Sequence, residues 1–425
     1  MDLYSRAGRG ARLVLLCALS ISLLSCANQH SNDDVPRKVA SQSEVSLEHF
    51  NHLFSEITVG QRQLGIVHIY SEYPDYAYAI EPAEGFTCVD DVARAIVMLS
   101  RYQPTPAPQV LQQIKKLIEF VLYMQNDNGY FNNFMWGDLS INNSYKTSVA
   151  TLNWWSLRAL WSLQAAYPLV SDDTELTHRM DGAIAKVVSN IKRDLVVTGL
   201  PTEQVNTLNS PTWLPQKYAA DQAAVAMIAL LPYYQNSADK QILTVIESLA
   251  EGIMHMQKGD AEHYPYGMFL SWKNQWHSWG NNQAYALLLA GQQLDRPDYI
   301  RSALLEIDNF YPYILEQGFA EAISIEQTAN GRYIETSRNP FPQIAYGIRP
   351  MVFAASEAFK VTGDNKYAEL SSKLTSWLFA ANAAGTVMHD RENGRTFDAI
   401  NSTSIINKNS GAESTIEALL ILQQQ

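Results

Sequence analysis

"EGFTCVDDVARAIVML" (residues 84–99) and "VLQQIKKLIEFVLYM" (110–124) stand a short loop apart and differ in kind. Behind Asp90 and Asp91 the first is apolar nearly all round, so a helix there must be covered on both sides. The second puts apolar residues at 110, 111, 114, 117, 118, 121 and 122 with polar residues between, which predicts a helix with one wet face. A buried helix followed by an amphipathic one cannot close a core alone. It needs copies of itself.

The chain supplies them. "SVATLNWWSLRALWSL", "AADQAAVAMIALLPYY", "NNQAYALLLAGQQL", "QIAYGIRPMVFAASEAF" and "GAESTIEALLILQ" are apolar all round like the first, with starts near 90, 149, 218, 280, 342 and 412. That spacing is roughly 60 to 70 residues, a long structural period without repeated identity. One-sided stripes fall between them at 176–196, 240–256, 298–315 and 364–379, and "LEHFNHLFSEI" (47–57) reads as a sixth before the first. Twelve alternating helices predict a closed ring, six inside and six outside. An open helical solenoid would need capping terminal repeats and a concave face, and neither is evident.

"MQNDNGYFNNFMW" (124–136), "MQKGDAEHYPYGMFLSW" (256–272) and "EQGFAEAISIE" (316–326) each follow an outer stripe and set Gly shortly before an aromatic residue, as in short hairpins. This organisation resembles the six-hairpin glycosidase-like superfamily, an all-α (α/α)6 toroid with short β-hairpins in its loops. "VDDVARAI" is also similar to an Asp-Asp-Asn-Ala-Arg-Ala-Leu segment of toroid domains found with bacterial carbohydrate enzymes, with Val92 in place of the usual Asn. The resemblance implies a carbohydrate-active protein and glycoside hydrolysis by paired carboxylates.

The N-terminus reads as a targeting signal. Arg6, Arg9 and Arg12 precede "LVLLCALSISLLS", too short for a stable span, and "LLSC" resembles the bacterial lipobox. The expectation is a signal peptide over 1–25, lipidation at Cys26, a flexible tether over 26–45 and one (α/α)6 domain over 46–425. Ala27 resembles lipoproteins sorted to the outer membrane of Gram-negative bacteria, so the membrane would be met through the lipid anchor only. The formal charge of −12 becomes about −14 without the signal's three Arg and Asp2, which argues against nucleic acid as a partner. Cys88 is the only cysteine left beside the anchor, so no intramolecular disulfide is available.

In such a ring the inner helices run one way, and the loops entering them meet at one mouth. Those loops read "EGFTCVDD", "NNSYKTS", "NSPTWLPQKYAAD", "SWKNQWHSWGNN", "TSRNPFPQ" and "NKNSGAES". They are rich in Trp, Tyr, Asn and single charges, which suits an oligosaccharide or polysaccharide. Trp213, Trp272, Trp276 and Trp279 are candidate stacking platforms. Hydrolysis needs an acid and a second carboxylate, and Asp90, Asp91, Asp221 and Glu413 all fall at inner-helix starts. Adjacent aspartates cannot line one small site equally, so one is expected to face the cavity and the other a loop. The plainer reading is capping: Thr87 stands three residues before Asp90, and "SGAE" (410–413) is a Ser-x-x-Glu box. Capping does not require Asp91 beside Asp90, nor Arg94 one turn on; Arg94 reads as a buried partner for an aspartate.

Lys146, Lys217, Lys273, Arg338 and Lys408 would pair with uronate or sulfate if the glycan is anionic, and are otherwise solvated loop charges. A polysaccharide lyase of the same shape would draw its base and neutraliser from Tyr145, Tyr218, His277, Asn281, Asn282 and Arg338. An epimerase would need paired histidines, which the mouth loops supply poorly. A non-catalytic glycan-binding protein would need only the aromatics. No metal-ligand spacing surrounds His263, His277 or His389, and no phosphate-binding glycine loop or Gly-x-Ser-x-Gly elbow is present, so no metal or cofactor is called for.

Overall fold

The computed structural model describes residues 45–103, 105–195 and 199–425, which fall within one unit spanning Gln42–Gln425. The signal, Cys26 and the tether up to residue 44 lie outside the described residues. The described residues form twelve α-helices in order: α1 (Glu48–Leu53), α2 (Val89–Tyr102), α3 (Pro108–Tyr123), α4 (Trp154–Ala166), α5 (Thr174–Asp194), α6 (Ala220–Ser237), α7 (Lys240–His255), α8 (Gln283–Gln293), α9 (Pro297–Glu316), α10 (Ala345–Thr362), α11 (Asn365–Thr375) and α12 (Ala412–Leu422). The even-numbered helices contact one another in sequence, and α12 returns to α2, so the ring is closed. The odd-numbered helices from α3 to α11 pack outside, each against the inner helix it adjoins in the chain. This is an (α/α)6 toroid.

Patterning explains the two layers. In α6 every residue from Ala220 to Leu231 is buried, whereas α3 buries only Ile114, Leu117, Ile118, Phe120 and Val121. Every described strand lies in a connection from an outer helix to the next inner one. The opposite connections are short, only 238–239 between α6 and α7 and 363–364 between α10 and α11. Irregular chain therefore gathers at one end, where the inner helices begin.

The first outer element departs from expectation. The helix predicted over 47–57 stops at Leu53, and Phe54–Val59 pairs antiparallel with Arg62–Val67. Thr58 and Val59 favour an extended chain, and Gly60, at φ +62°, turns it back. Leu64 and Ile66 are then buried where a longer helix would have packed, with the second strand against α3. Inner helix α4 also starts later than its pattern, at Trp154, because the Asn153 side chain accepts from the Trp154 amide at 2.8 Å.

Candidate active site at the mouth of the toroid

Asp90 and Asp91 begin α2, but neither caps it. The cap is Cys88, whose Sγ accepts from the Asp91 amide at 3.4 Å, while the Asp90 amide donates to Asn133 Oδ1 at 3.0 Å. The Ser-x-x-Glu box is likewise unused, since Gly411 precedes α12 without a side-chain cap and Glu413 turns toward α2. The capping expectation fails because stronger partners are in reach. These are three arginines buried in the walls.

Arg94, Arg158 and Arg349 each stand in the second turn of an inner helix. Arg94 Nη2 donates to Asp91 Oδ1 at 2.8 Å, and Nη1 donates to Glu413 Oε2 at 2.8 Å and Glu417 Oε1 at 3.3 Å. Arg349 Nε meets the other oxygen of Glu417 at 2.6 Å, and its Nη1 donates to Asn282 Oδ1 at 2.6 Å. Arg158 binds Asp90 and the Tyr346 hydroxyl. All three guanidinium carbons lie 5.0–5.5 Å from the centre of the Tyr346 ring. Buried charges persist only when paired, so cations and carboxylates hold one another in place across α2, α4, α10 and α12.

Above this network lies a cavity of about 360 Å³ lined by Asp90, Asp91, Arg94 and Glu413, with Glu84 and Asp398 on its sides. Asp91 is nearly buried, its side chain 4% exposed, while Asp90 is 20% and Glu413 42% exposed. Burial pushes the Asp91 carboxyl up to about 6; Arg94 opposes this, and Glu413 and Asp90 reinforce it. Asp90 Oδ1 is buried and has no hydrogen-bond partner among the described residues. Burial, helped by Asp91 and Asp90, raises the Cys88 thiol well above its ordinary range, so it stays protonated and donates to Asp91 Oδ2 at 3.3 Å. Both aspartates thus line the cavity, and the expectation that one would face a loop is corrected. They diverge, as adjacent helical residues must, but each finds an arginine.

The other predicted residues separate. Asp221 is not among the cavity lining: it is buried, 3.0 Å from His277 Nε2, while His277 Nδ1 donates to the Trp279 carbonyl at 2.7 Å. Neither ring nitrogen of His277 is free. Trp279 stacks on His277 and abuts Trp154. Trp276 is 1% exposed and packs on Phe310, and Trp213 is buried with its indole N–H on the Ser248 carbonyl. Both are wall residues; Trp272 alone of the four is exposed. Asn281 donates to Ser271 and the Phe269 carbonyl, which makes it a loop brace, and Asn282 serves Arg349.

The cations lie apart from the cavity. Lys217 pairs with Glu203 at 2.7 Å, and Tyr218 hydrogen-bonds the same carboxylate. Arg338 is held by Glu335 at 2.7 Å and by the Tyr313 hydroxyl of an outer helix. Lys146 is exposed on its loop, Lys273 lies over Trp272, and Lys408 lies near Tyr73. The residues expected to serve a lyase are therefore dispersed. Arg158, Arg349, Glu417 and Tyr346 were not foreseen, although a lone charge inside an all-apolar helix was the available signal.

No protein-family model matches the sequence, and no curated protein matches it significantly. Solved structures do. A sugar epimerase from a ruminal bacterium superposes with a TM-score of 0.62 at 11% identity, over 90% of this chain and 96% of that one. Cellobiose 2-epimerase from Bacillus thermoamylovorans B4167 gives 0.58 at 13%, over 89% and 95%. A family 76 glycoside hydrolase from a bovine Bacteroides thetaiotaomicron strain gives 0.57 at 9%, over 90% and 78%. The chain has the six-hairpin glycosidase-like fold.

Proposed function

We propose that the protein is a glycoside hydrolase that cleaves an oligosaccharide or polysaccharide whose reacting unit is neutral. One observation carries this reading: Asp91 and Glu413 sit on one guanidinium, each at 2.8 Å, in one cavity. Glycosidic cleavage needs two carboxyl groups with different duties. Asp91, raised to about 6, holds its proton into mildly acidic solution and donates it to the leaving oxygen. Glu413, far more open, activates the water or attacks the anomeric carbon. Asp90, held by Arg158 and part-exposed at the cavity wall, adds negative charge beside the reacting unit.

The likeness to sugar epimerases is one of fold alone, and no histidine lines this cavity among the described residues. A uronate at the reacting position would face Glu84, Asp90, Asp91, Asp398 and Glu413 against Arg94 alone, which favours a neutral ring. The test is incubation of the Cys26→Ala protein with neutral oligosaccharides and mass analysis of the products. Fragments that gain one water, absent with Asp91→Asn, are expected. Products carrying a new double bond would make it a lyase, and retention without product a binding protein.

We also propose that Cys26 carries the lipid and holds the chain at an outer membrane, facing the periplasm or the exterior. Cys26→Ala should then move the protein from the membrane to the soluble fraction. Unchanged fractionation would refute the anchor.

A further inference from the structure

A second cavity, of about 510 Å³, opens between Tyr76 and the 379–397 segment that leads into α12. Arg391 and Arg395 line it together with Phe379 and Phe397. The Arg391 guanidinium lies 4.0 Å from the centre of the Phe379 ring, and that of Arg395 3.9 Å from that of Tyr76. Neither arginine forms a salt bridge among the described residues, in a chain with 43 acidic and 31 basic side chains. Arg395 Nε is buried and has no hydrogen-bond partner among the described residues.

The one acid of the lining, Asp390, is occupied by its own turn. Its Oδ2 accepts from Asn393 at 2.7 Å and its Oδ1 from the Glu392 amide at 2.9 Å. His389 adds no charge, since burial lowers it to about 4 and its Nδ1 meets Thr396 Oγ1 at 2.8 Å. The turn is closely packed: the Asp390 amide donates to the Arg395 carbonyl at 2.8 Å, and a Cβ on Gly394 would lie 2.2 Å from the Ser46 carbonyl oxygen. Two guanidinium groups, neither in a salt bridge among the described residues, thus stand beside aromatic surface with one carboxylate, Asp390, in the same lining. Phe397 lines this cavity and the next residue, Asp398, lines the carboxylate cavity, so both open along one segment.

We propose that this cavity binds an oxyanion carried on a sugar ring, a carboxylate or a phosphate substituent, with Arg391 and Arg395 on the anion and the aromatic lining against the ring. It rests on the carbohydrate reading for the ring but not for the anion. A substrate would then be neutral where it is cut and acidic further along.

Calorimetric titration of the Cys26→Ala protein with glucose, glucuronic acid, glucose 6-phosphate and inorganic phosphate tests this. Both acidic sugars should bind at least about tenfold more tightly than glucose, with affinity falling as salt rises. The tighter of the two identifies the substituent. Arg391→Gln, a change at an exposed position, should cost at least about tenfold, and Arg391→Lys should retain part of the affinity. Glucose binding equally well, phosphate binding as tightly as glucose 6-phosphate, or an unaffected Arg391→Gln would each overturn the proposal. Asp91→Asn should leave this binding intact, and Arg391→Gln should leave cleavage of a neutral oligosaccharide intact, so each idea can fail alone.

Discussion

Asp91 shows how a residue's surroundings assign its duty. This short side chain begins a helix, where the dipole favours an anion, yet burial raises its pKa to about 6. As a proton donor it is active when protonated, so kcat/KM for a neutral oligosaccharide should fall as pH rises through about 6. Asp91→Asn should lose about 10²–10⁴-fold in kcat, the range expected for general acid catalysis. Glu413→Gln should reduce kcat without restoring activity at higher pH, because the proton on Asp91 is a separate requirement. A steady-state pH profile of the three proteins checks both. Asp90 and Asp91 were visible in the sequence as an unusual pair, and Arg94 as a partner. The allocation of Arg158 to Asp90 was not, since 68 positions separate them and no periodicity links the two.

Among the elements, the inner helices are tied by ions as well as by apolar contact. Glu417 on α12 is fully buried and bridges Arg94 of α2 and Arg349 of α10. Removing its charge leaves Arg349 without a carboxylate, and breaking a buried pair in this way costs about 3–5 kcal/mol. Glu417→Gln should therefore lower the urea midpoint sharply, measured by circular dichroism. The hairpin of 54–67 makes a steric prediction. Gly65 packs on α3 so closely that an added Cβ would lie 2.8 Å from Lys116 Cβ and 3.0 Å from the Leu117 amide. Gly65→Ala should destabilise by about 1–3 kcal/mol, as overpacking does, whereas Gly60→Asn, at a left-handed turn facing open space, should be tolerated.

At the scale of the whole molecule, the outer wall and the mouth connections are joined by a buried acid. Glu306 on α9 accepts from the Phe269 amide at 2.8 Å, with the buried Tyr311 hydroxyl as its neighbour. Burial raises its carboxyl to about 8, well above its value in an unfolded chain. The unfolded chain loses that proton first, so the native state binds more protons between these values. The contribution is fully present below the unfolded value, near pH 4.5, and is lost as pH rises through about 8. The melting temperature should fall over that interval, and Glu306→Gln should flatten the decline. An unchanged slope would mean the carboxyl is solvated in the native state.

The sequence by itself determined the layers. All-round and one-sided apolar helices are burial demands written in each segment, and a closed ring of alternating elements satisfies them. It also marked the mouth, because the loops entering the inner helices share a composition unlike the rest. The hairpin of 54–67 escaped this reading, since a short stretch of mixed apolar residues fits two periods and the strand partner decides between them. Only the tertiary structure decided which acids share a cavity. Asp221 and Glu413 occupy equivalent places in their helices, but one meets His277 and the other Arg94. Side-chain partners across the ring are fixed by where each helix points, and that direction is a property of the closed core.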